Sequence, residues 1–383
     1  MSGRATISDA TTLRLWVQAG GRCEYHACNR YLLEDELTGY PLNLAERAHI
    51  IGATEAPGSP RGDDPLPVSD RSDVDNLMLL CRDHHRVIDR LLREHGIDGL
   101  RRMKRDHEDR IRLLTGLQED AATVVVRAIG GIRDAPVDVP RAAVLAAVVA
   151  DGHFPRFPLA MAGEDLEIDL RVLPAEDEPG YWEAGERIIA ARAARIRDAQ
   201  QPIRHLSIFA LTRIPFLVAL GFHLDDKIPT TVYGRRRDGT GDAGWGFDPD
   251  AQPVEFDVRH IAGPAGAPHV AVAVSITNDV AAAAGDASTV YELAPRGLPH
   301  GRVLLAARTS LDRFADAYHR LLGRIEADHA DCEVVELYAA VPAAGAVQLG
   351  RGIMRDAQPM LRVHDRDIGG RWVAALTLRR SPT

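Results

Sequence analysis

Cysteine is scarce: the chain has four in 383 residues. That is too few for a disulfide scaffold. In a reducing compartment, clustered cysteines more often hold metal. Long apolar runs are missing too. The longest Ala/Val-rich stretch, 142–150, falls well short of the roughly 18 residues that cross a bilayer. The first ten residues are polar and lack an apolar segment, which predicts no secretory signal and a cytoplasmic protein without membrane partners. A surplus of positive charge is also absent. The net charge of −9 argues against a polybasic nucleic-acid binder, although a local basic face stays open.

The composition that is present, 45% hydrophobic and 26% charged, is that of a soluble globular chain. Its length suggests two domains or three. Residues 1–115 carry 17 Lys and Arg against 19 Asp and Glu, so most of the negative charge lies further on. The texture changes after 115, and the boundary is placed near residue 118, giving domains 1–118 and 119–383. Thr123–Arg127 reads as a strand, followed by turn signals at Gly130, Gly131 and Pro136. Beyond it, Leu206–Leu211, Val270–Ile276, Glu333–Val341 and Trp372–Leu378 read as strands. Phe216–Phe222 and Ser310–His329 read as helices, the second with Ser310 as N-cap. Alternation of this kind predicts a parallel α/β sheet. The segments 209–221 and 338–350 echo each other as strand, Pro-containing loop and helix ending in Leu-Gly, which suggests a duplicated half-domain.

Chemistry concentrates near the N-terminus. Cys23-Glu-Tyr-His-Ala-Cys28 follows Gly20-Gly21, and Cys81-Arg-Asp-His84-His85 comes later. Cys23, Cys28, Cys81 and His84 make a Cys₃His set built from two close pairs, suited to structural Zn²⁺. His26 could stand in for one ligand. Between the pairs lie Glu46-Arg-Ala-His49 and Asp75-Asn76. The order His, Asn, His threaded through a zinc knuckle is far more specific than any lone histidine.

Over residues 13–114 these motifs, with the trailing Leu100-Arg-Arg-Met-Lys104-Arg-Asp-His107-Glu108, resemble the HNH (ββα-metal) nuclease family. The resemblance implies an α+β domain in which His49 is the general base, Asn76 braces the loop that orients it, and His85 binds a catalytic divalent ion such as magnesium, manganese or nickel. A positioned imidazole and a metal-bound phosphate oxygen serve phosphodiester hydrolysis. Many family members carry a metal-binding carboxylate just before the base, where this chain has Ala48. Glu46 is the substitute expected here, with Asp63 or Asp64 as alternatives. Arg82, Arg86, Arg90 and Arg93 fall on one helix face, and Arg101, Arg102, Lys104 and Arg105 form a second cluster. Both offer cations to double-stranded DNA. Nothing suggests base-edge readout, so little sequence specificity is expected.

The C-terminal part has no P-loop and no G-x-G-x-x-G after a strand. His205-Leu-Ser-Ile-Phe-Ala-Leu-Thr-Arg-Ile-Pro215 with Leu220-Gly221, Tyr233–Trp245, Ala273–Ile276 and Glu336–Pro342 with Gln348–Arg351 resemble the SAVED domain, a sensor of two fused CARF-like, Rossmann-type α/β halves. HNH–SAVED chains resemble effectors of CBASS anti-phage systems. The resemblance implies a cyclic di- or trinucleotide activator, ligand-driven self-association from dimer to tetramer, and degradation of double-stranded DNA. In parallel α/β sheets ligands sit at the carboxyl ends of strands. Those ends are Thr212, Arg213 and Pro215; Thr277 and Asn278; and Pro342, Ala343 and Ala344. Helix N-termini after the two Pro loops could receive phosphates. Arg235, Arg236 and Arg237 would add cations, and Trp245 or Tyr233 would stack a base. Two other functions fit the residues: an ungated restriction-type HNH nuclease, and a non-catalytic zinc-stabilised DNA-binding sensor.

Overall fold

A computed structural model describes residues 6–132, 137–156, 167–197, 199, 202–236, 244–284, 289–354 and 358–379. The chain divides into two compact units, Met1–Gln118 and Glu119–Thr383. Pro136 and Arg237 lie outside the described residues.

Unit 1 is α1 (Asp9–Gln18), β1 (Ala45–His49), β2 (Leu77–Cys81), α2 (Arg82–Arg90) and α3 (Ile97–Thr115). Ser8 caps α1 by accepting from the Thr11 amide. β1 and β2 pair antiparallel with Glu46 opposite Leu80 and His49 opposite Leu77. The run Leu-Met-Leu-Leu-Cys of β2 is buried throughout and forms the core with Leu15, Ile50, Ile51, Ile88 and Leu100. α2 follows β2 with no intervening loop, completing a ββα arrangement.

Unit 2 holds two sheets. The first half contributes β3 (Ala122–Ile129), α4 (Arg141–Ala150), β4 (Phe154–Arg156), β5 (Glu167–Asp169), α5 (Tyr181–Arg197), β6 (Leu206–Leu211), α6 (Ile214–Leu224) and β7 (Thr230–Tyr233). The second contributes β8 (Phe256–Ala262), β9 (His269–Ser275), β10 (Val290–Pro295), α7 (Arg308–Asp328), β11 (Val334–Ala340), α8 (Ala343–Arg351), β12 (Met360–Arg366) and β13 (Trp372–Leu378). The first sheet runs β4-β3-β6-β7, with β5 also on β3, and is all parallel. The second runs β13-β12-β11-β9-β10-β8. Its inner four strands are parallel, but β8 and β13 join antiparallel as edges. The expectation of a purely parallel sheet is corrected here. Strand–helix alternation reports only the strands joined by helices, and these two edges are not.

The parallel cores correspond: β4-β3-β6-β7 matches β10-β9-β11-β12. The halves meet through α6 and α8. A Cβ on Gly221 would overlap the Val347 carbonyl and Arg351 amide; one on Gly350 would overlap the Val218 carbonyl and Phe222 amide. The contacts are reciprocal, so the helices cross backbone to backbone about a local two-fold. The Leu-Gly echo in the sequence marks this crossing. α6 is buried on nearly every side, which explains why it is apolar all round. α7 begins at Arg308 with Ala307 as cap, not at Ser310. Ser310 is buried in the first turn, where its hydroxyl accepts from the Val254 amide.

Candidate functional site

In unit 1 the thiol-rich cluster forms from three places. A tight loop carries Cys23 and Cys28; its Ala27 and Asn29 adopt positive φ to fold the chain back. The end of β2 brings Cys81, and the first turn of α2 brings His84. The four donor atoms lie within 4.8 Å of one another. His84 Nδ1 is 3.1 Å from Cys81 Sγ and 3.8 Å from Cys23 Sγ. Tyr25 stacks on the His84 ring at 4.0 Å and holds its plane. Burial pushes the Cys23 thiol well above its ordinary range. A bound cation reverses that tendency, because a coordinating thiol is deprotonated. The soft donor set and its size fit one tetrahedral Zn²⁺, with bonds of about 2.3 Å to sulfur.

The next residue of α2, His85, faces a separate cleft of about 410 Å³. Its lining includes Arg47, His49, Ser59, His85 and Asp89. His49 ends β1 and is 9% exposed. Asn76, 5% exposed, accepts from the Ile51 amide at 2.9 Å. It donates to the Ile51 carbonyl at 2.9 Å and to the Arg71 carbonyl at 2.8 Å. The Asn76 carbonyl also accepts from the Ile50 amide at 2.8 Å. Asn76 therefore ties the chain leaving His49 to the start of β2. Arg71, fully buried, donates to the carbonyls of Gly52, Thr54, Gly62, Leu66 and Asp64 and so fills the loop between the strands.

His85 is held from both sides. Glu46 Oε2 is 2.6 Å from Nδ1, and Asp89 Oδ2 is 3.3 Å from Nε2. Those bonds, Asp89's first, hold its pKa above the ordinary value despite partial burial. Burial alone would push the Asp89 carboxyl up, but the His85 bond and the Arg61 charge outweigh it and hold it low. Arg61 is buried at positive φ. It donates to Asp89 and to the carbonyls of His49, Ile50 and Ile88. It thereby couples the end of β1 to α2.

Glu46, the expected substitute for the missing carboxylate, is here bonded to His85 Nδ1. Glu46 and Asp89 sit on opposite nitrogens of one ring. Among the described residues, no His/Cys/Asp/Glu set of three or more besides the cysteine cluster is close enough to share an ion. A second donor pair lies at the His85 Nε2–Asp89 edge. At metal–ligand distances near 2.0–2.2 Å, two donors about 3 Å apart can share one ion. Glu46 then fixes the tautomer by accepting from Nδ1. Asp89 was missed because, in the sequence, it reads as a partner of the arginine face. Ala48 points into the core and is fully buried, where a carboxylate would be costly. Lys104 is not a DNA cation: it is 5% exposed and bonded to Glu108 at 2.5 Å. Arg82, Arg86, Arg90 and Arg93 are exposed.

In unit 2, Thr212 and Arg213 follow β6, Thr277 and Asn278 follow β9, and Pro342–Ala344 follow β11, all at carboxyl ends of parallel strands. The amides of Ile276 and Thr277 donate to the Ala340 carbonyl, fastening two of these ends together. Thr212 is 5% exposed and its hydroxyl has no hydrogen-bond partner among the described residues. It lies directly over Gly130, which has no room for a Cβ. Gly130, taken in the sequence only as a turn signal, thus belongs to the same face.

Three further expectations are corrected. Trp245 is 7% exposed and packs edge-on to Phe209, which stacks on Tyr233. Both rings belong to the core beneath α4, so neither can stack a base. Arg213 is buried, and each guanidinium nitrogen already has an acceptor. Pro215 is buried in the first turn of α6, where it needs no amide partner. Arg235 and Arg236 are exposed beside the short bridge to Trp245.

Residues 187–378 match the family model described as SMODS-associated and fused to various effectors sensor domain, SAVED. The chain belongs to the SAVED family. Residues 33–92 match the HNH endonuclease model, so an HNH unit is joined to a SAVED sensor unit. Among solved structures, the chain is similar to the SAVED/CARF-domain-containing Cap4 receptor of Acinetobacter baumannii with the cyclic trinucleotide 2'3'3'-cAAA. Identity is 11%, coverage is 82% of this chain and 65% of that chain, and the TM-score is 0.46. It is also similar to the Cap4 receptor of Moraxella osloensis, at 10% identity, with 83% and 62% coverage and a TM-score of 0.44. The chain spans less than two thirds of the length of these receptors. No curated protein matches the chain. Among the described residues, no helix is long and apolar enough to cross a membrane.

Proposed function

We propose that this chain is a cyclic-oligonucleotide-activated, metal-dependent endonuclease that degrades double-stranded DNA in anti-phage defence. The observation that carries this reading is the convergence of His49, His85 and Asp89 on one cleft of an HNH unit joined to a SAVED unit. Asn76 holds the loop that sets the direction of His49, and the His49 imidazole accepts the proton of the attacking water. Glu46 orients His85, and Arg61 orients Asp89. A divalent ion held by His85 and Asp89 would stabilise negative charge developing on a phosphate oxygen. The exposed arginine face of α2 lies beside the cleft and holds the DNA backbone without reading bases. Cys23, Cys28, Cys81 and His84 would hold a second ion, zinc, which would help keep the unit folded.

The SAVED unit supplies control. A cyclic di- or trinucleotide fits the face formed by Thr212, Gly130, Thr277 and Pro342, whose strand ends and helix N-termini suit phosphates. Binding there drives self-association and licenses cleavage. The test is His49→Ala. Cleavage of duplex DNA should fall by 10² or more, while thermal stability and nucleotide binding stay at wild-type levels, since general-base catalysis contributes about 10²–10⁴-fold. Full activity in this variant would remove His49 from the mechanism and leave a DNA-binding sensor as the better account.

A further inference from the structure

We infer that Arg213 is a positioning residue of the ligand face, acting through a clamp across the two halves rather than through the nucleotide. This rests on the sensor reading above. Arg213 is the N-cap residue of α6 and is 7% exposed. Its guanidinium bonds Glu176, which precedes α5 in the first half. It also bonds Asp365 Oδ2 at 3.0 Å and the Arg366 carbonyl at 2.8 Å, both at the end of β12 in the second half. The guanidinium lies 5.5 Å from the centre of the Trp182 ring, which closes it off.

The register makes this placement consequential. β11 and β12 run parallel with Tyr338 beside His364, so Asp365 stands beside the last turns of chain before Pro342. One buried side chain therefore links the start of α6 to the strand flanking the start of α8. Burial raises the Asp365 pKa, and the Arg213 charge and hydrogen bond work against that rise. The fork of arginine suits two carboxylates and a carbonyl at once; lysine, a point charge, does not.

The molecule carries its own control. A second cross-half ion pair, Asp151 with Arg308, joins the amino-terminal pole of the first sheet to the start of α7, which follows β10 in the second half. Asp151 caps α4 in the first half, and Arg308 opens α7 in the second. If Arg213 only helped hold the halves together, breaking either pair would have the same effect.

The experiment compares Asp365→Asn, Arg213→Lys and Arg308→Gln in the full chain. The primary readout is amide exchange without nucleotide at Leu217 and Ala346, the first amides bonded back to Arg213 and Pro342 in α6 and α8. A positioning role predicts exchange about tenfold faster at both sites in Asp365→Asn and Arg213→Lys, the size expected for losing a hydrogen bond to a charged group. Arg308→Gln, which leaves the Arg213 fork intact, should leave Leu217 unchanged. Equal acceleration at Leu217 in all three, or none in the first two, overturns the inference. In parallel, a dose response to 2'3'3'-cAAA and 3'3'3'-cAAA should show a raised half-activating concentration with an unchanged maximal cleavage rate in the first two variants alone. Failure of the wild type to respond to any cyclic nucleotide would count against the sensor reading. The exchange result would still decide the clamp.

Discussion

Replacing Asn76 by alanine isolates the brace from the chemistry it supports. The side chain makes three buried hydrogen bonds: from the Ile51 amide, to the Ile51 carbonyl and to the Arg71 carbonyl. Each is worth about 1 kcal/mol net, and stranding a buried partner costs about 1–3 kcal/mol. Ile51 is fully enclosed, so water cannot replace the lost partner without opening the core. The expected loss is therefore about 3–5 kcal/mol, a large share of the roughly 5–15 kcal/mol that holds a domain folded. In a unit of this size it corresponds to a fall of roughly 10–20 °C in its melting temperature. Calorimetry of the full chain should show one transition moving and the SAVED transition staying. Asn76→Asp keeps the acceptor for the Ile51 amide and sets a carboxylate against two carbonyls, so it should be at least as damaging. A shift under about 2 °C, with the Ile51 amide still protected from exchange, would refute the reasoning.

Three other outcomes follow from the geometry. Cys81→Ser should abolish stoichiometric zinc, read by elemental analysis, and remove the HNH unit's melting transition. Retained metal would contradict a Cys₃His site. Gly221→Ala should destabilise the SAVED unit by about 1–3 kcal/mol or more, because its Cβ meets backbone of α8. Gly323→Ala, on α7 with open space around it, should be neutral or stabilising by about 0.5–1 kcal/mol. The pH dependence of the SAVED unit follows from His205. Burial first, then the His153 charge, lowers its pKa to about 4. Between about 6.5 and 4 the unfolded chain binds the extra proton, so stability falls as pH falls through that window. His205→Gln should flatten the melting temperature there, and an unchanged profile would show that another group is responsible.

The His49, Asn76 and His85 order was legible as a pattern, and the structure brings His49 and His85 to one cleft with Asn76 bracing the chain beside them. The strands Leu206–Leu211 and Trp372–Leu378 were legible from apolar runs bounded by turn residues. The Leu-Gly echo was legible as a pattern, but not its reason. Gly221 and Gly350 each face the other helix's backbone, a contact that no local pattern carries. Asp89 and Arg61 were hidden because their partners lie on other elements, and acidic residues on an arginine-rich helix read as surface pairs. Trp245 and Arg213 misled for the opposite reason. An aromatic or a cation near a loop looks available until the core or a carboxylate takes it.

The most direct test of the central claim is cleavage of supercoiled plasmid by the wild-type chain with magnesium or manganese. Lanes would carry no nucleotide, 2'3'3'-cAAA, 3'3'3'-cAAA, or a panel of other cyclic di- and trinucleotides. The account predicts intact plasmid without nucleotide and degradation to short fragments with one of the cyclic species. Degradation that is equally fast with and without every nucleotide, or no degradation in any lane, would contradict it.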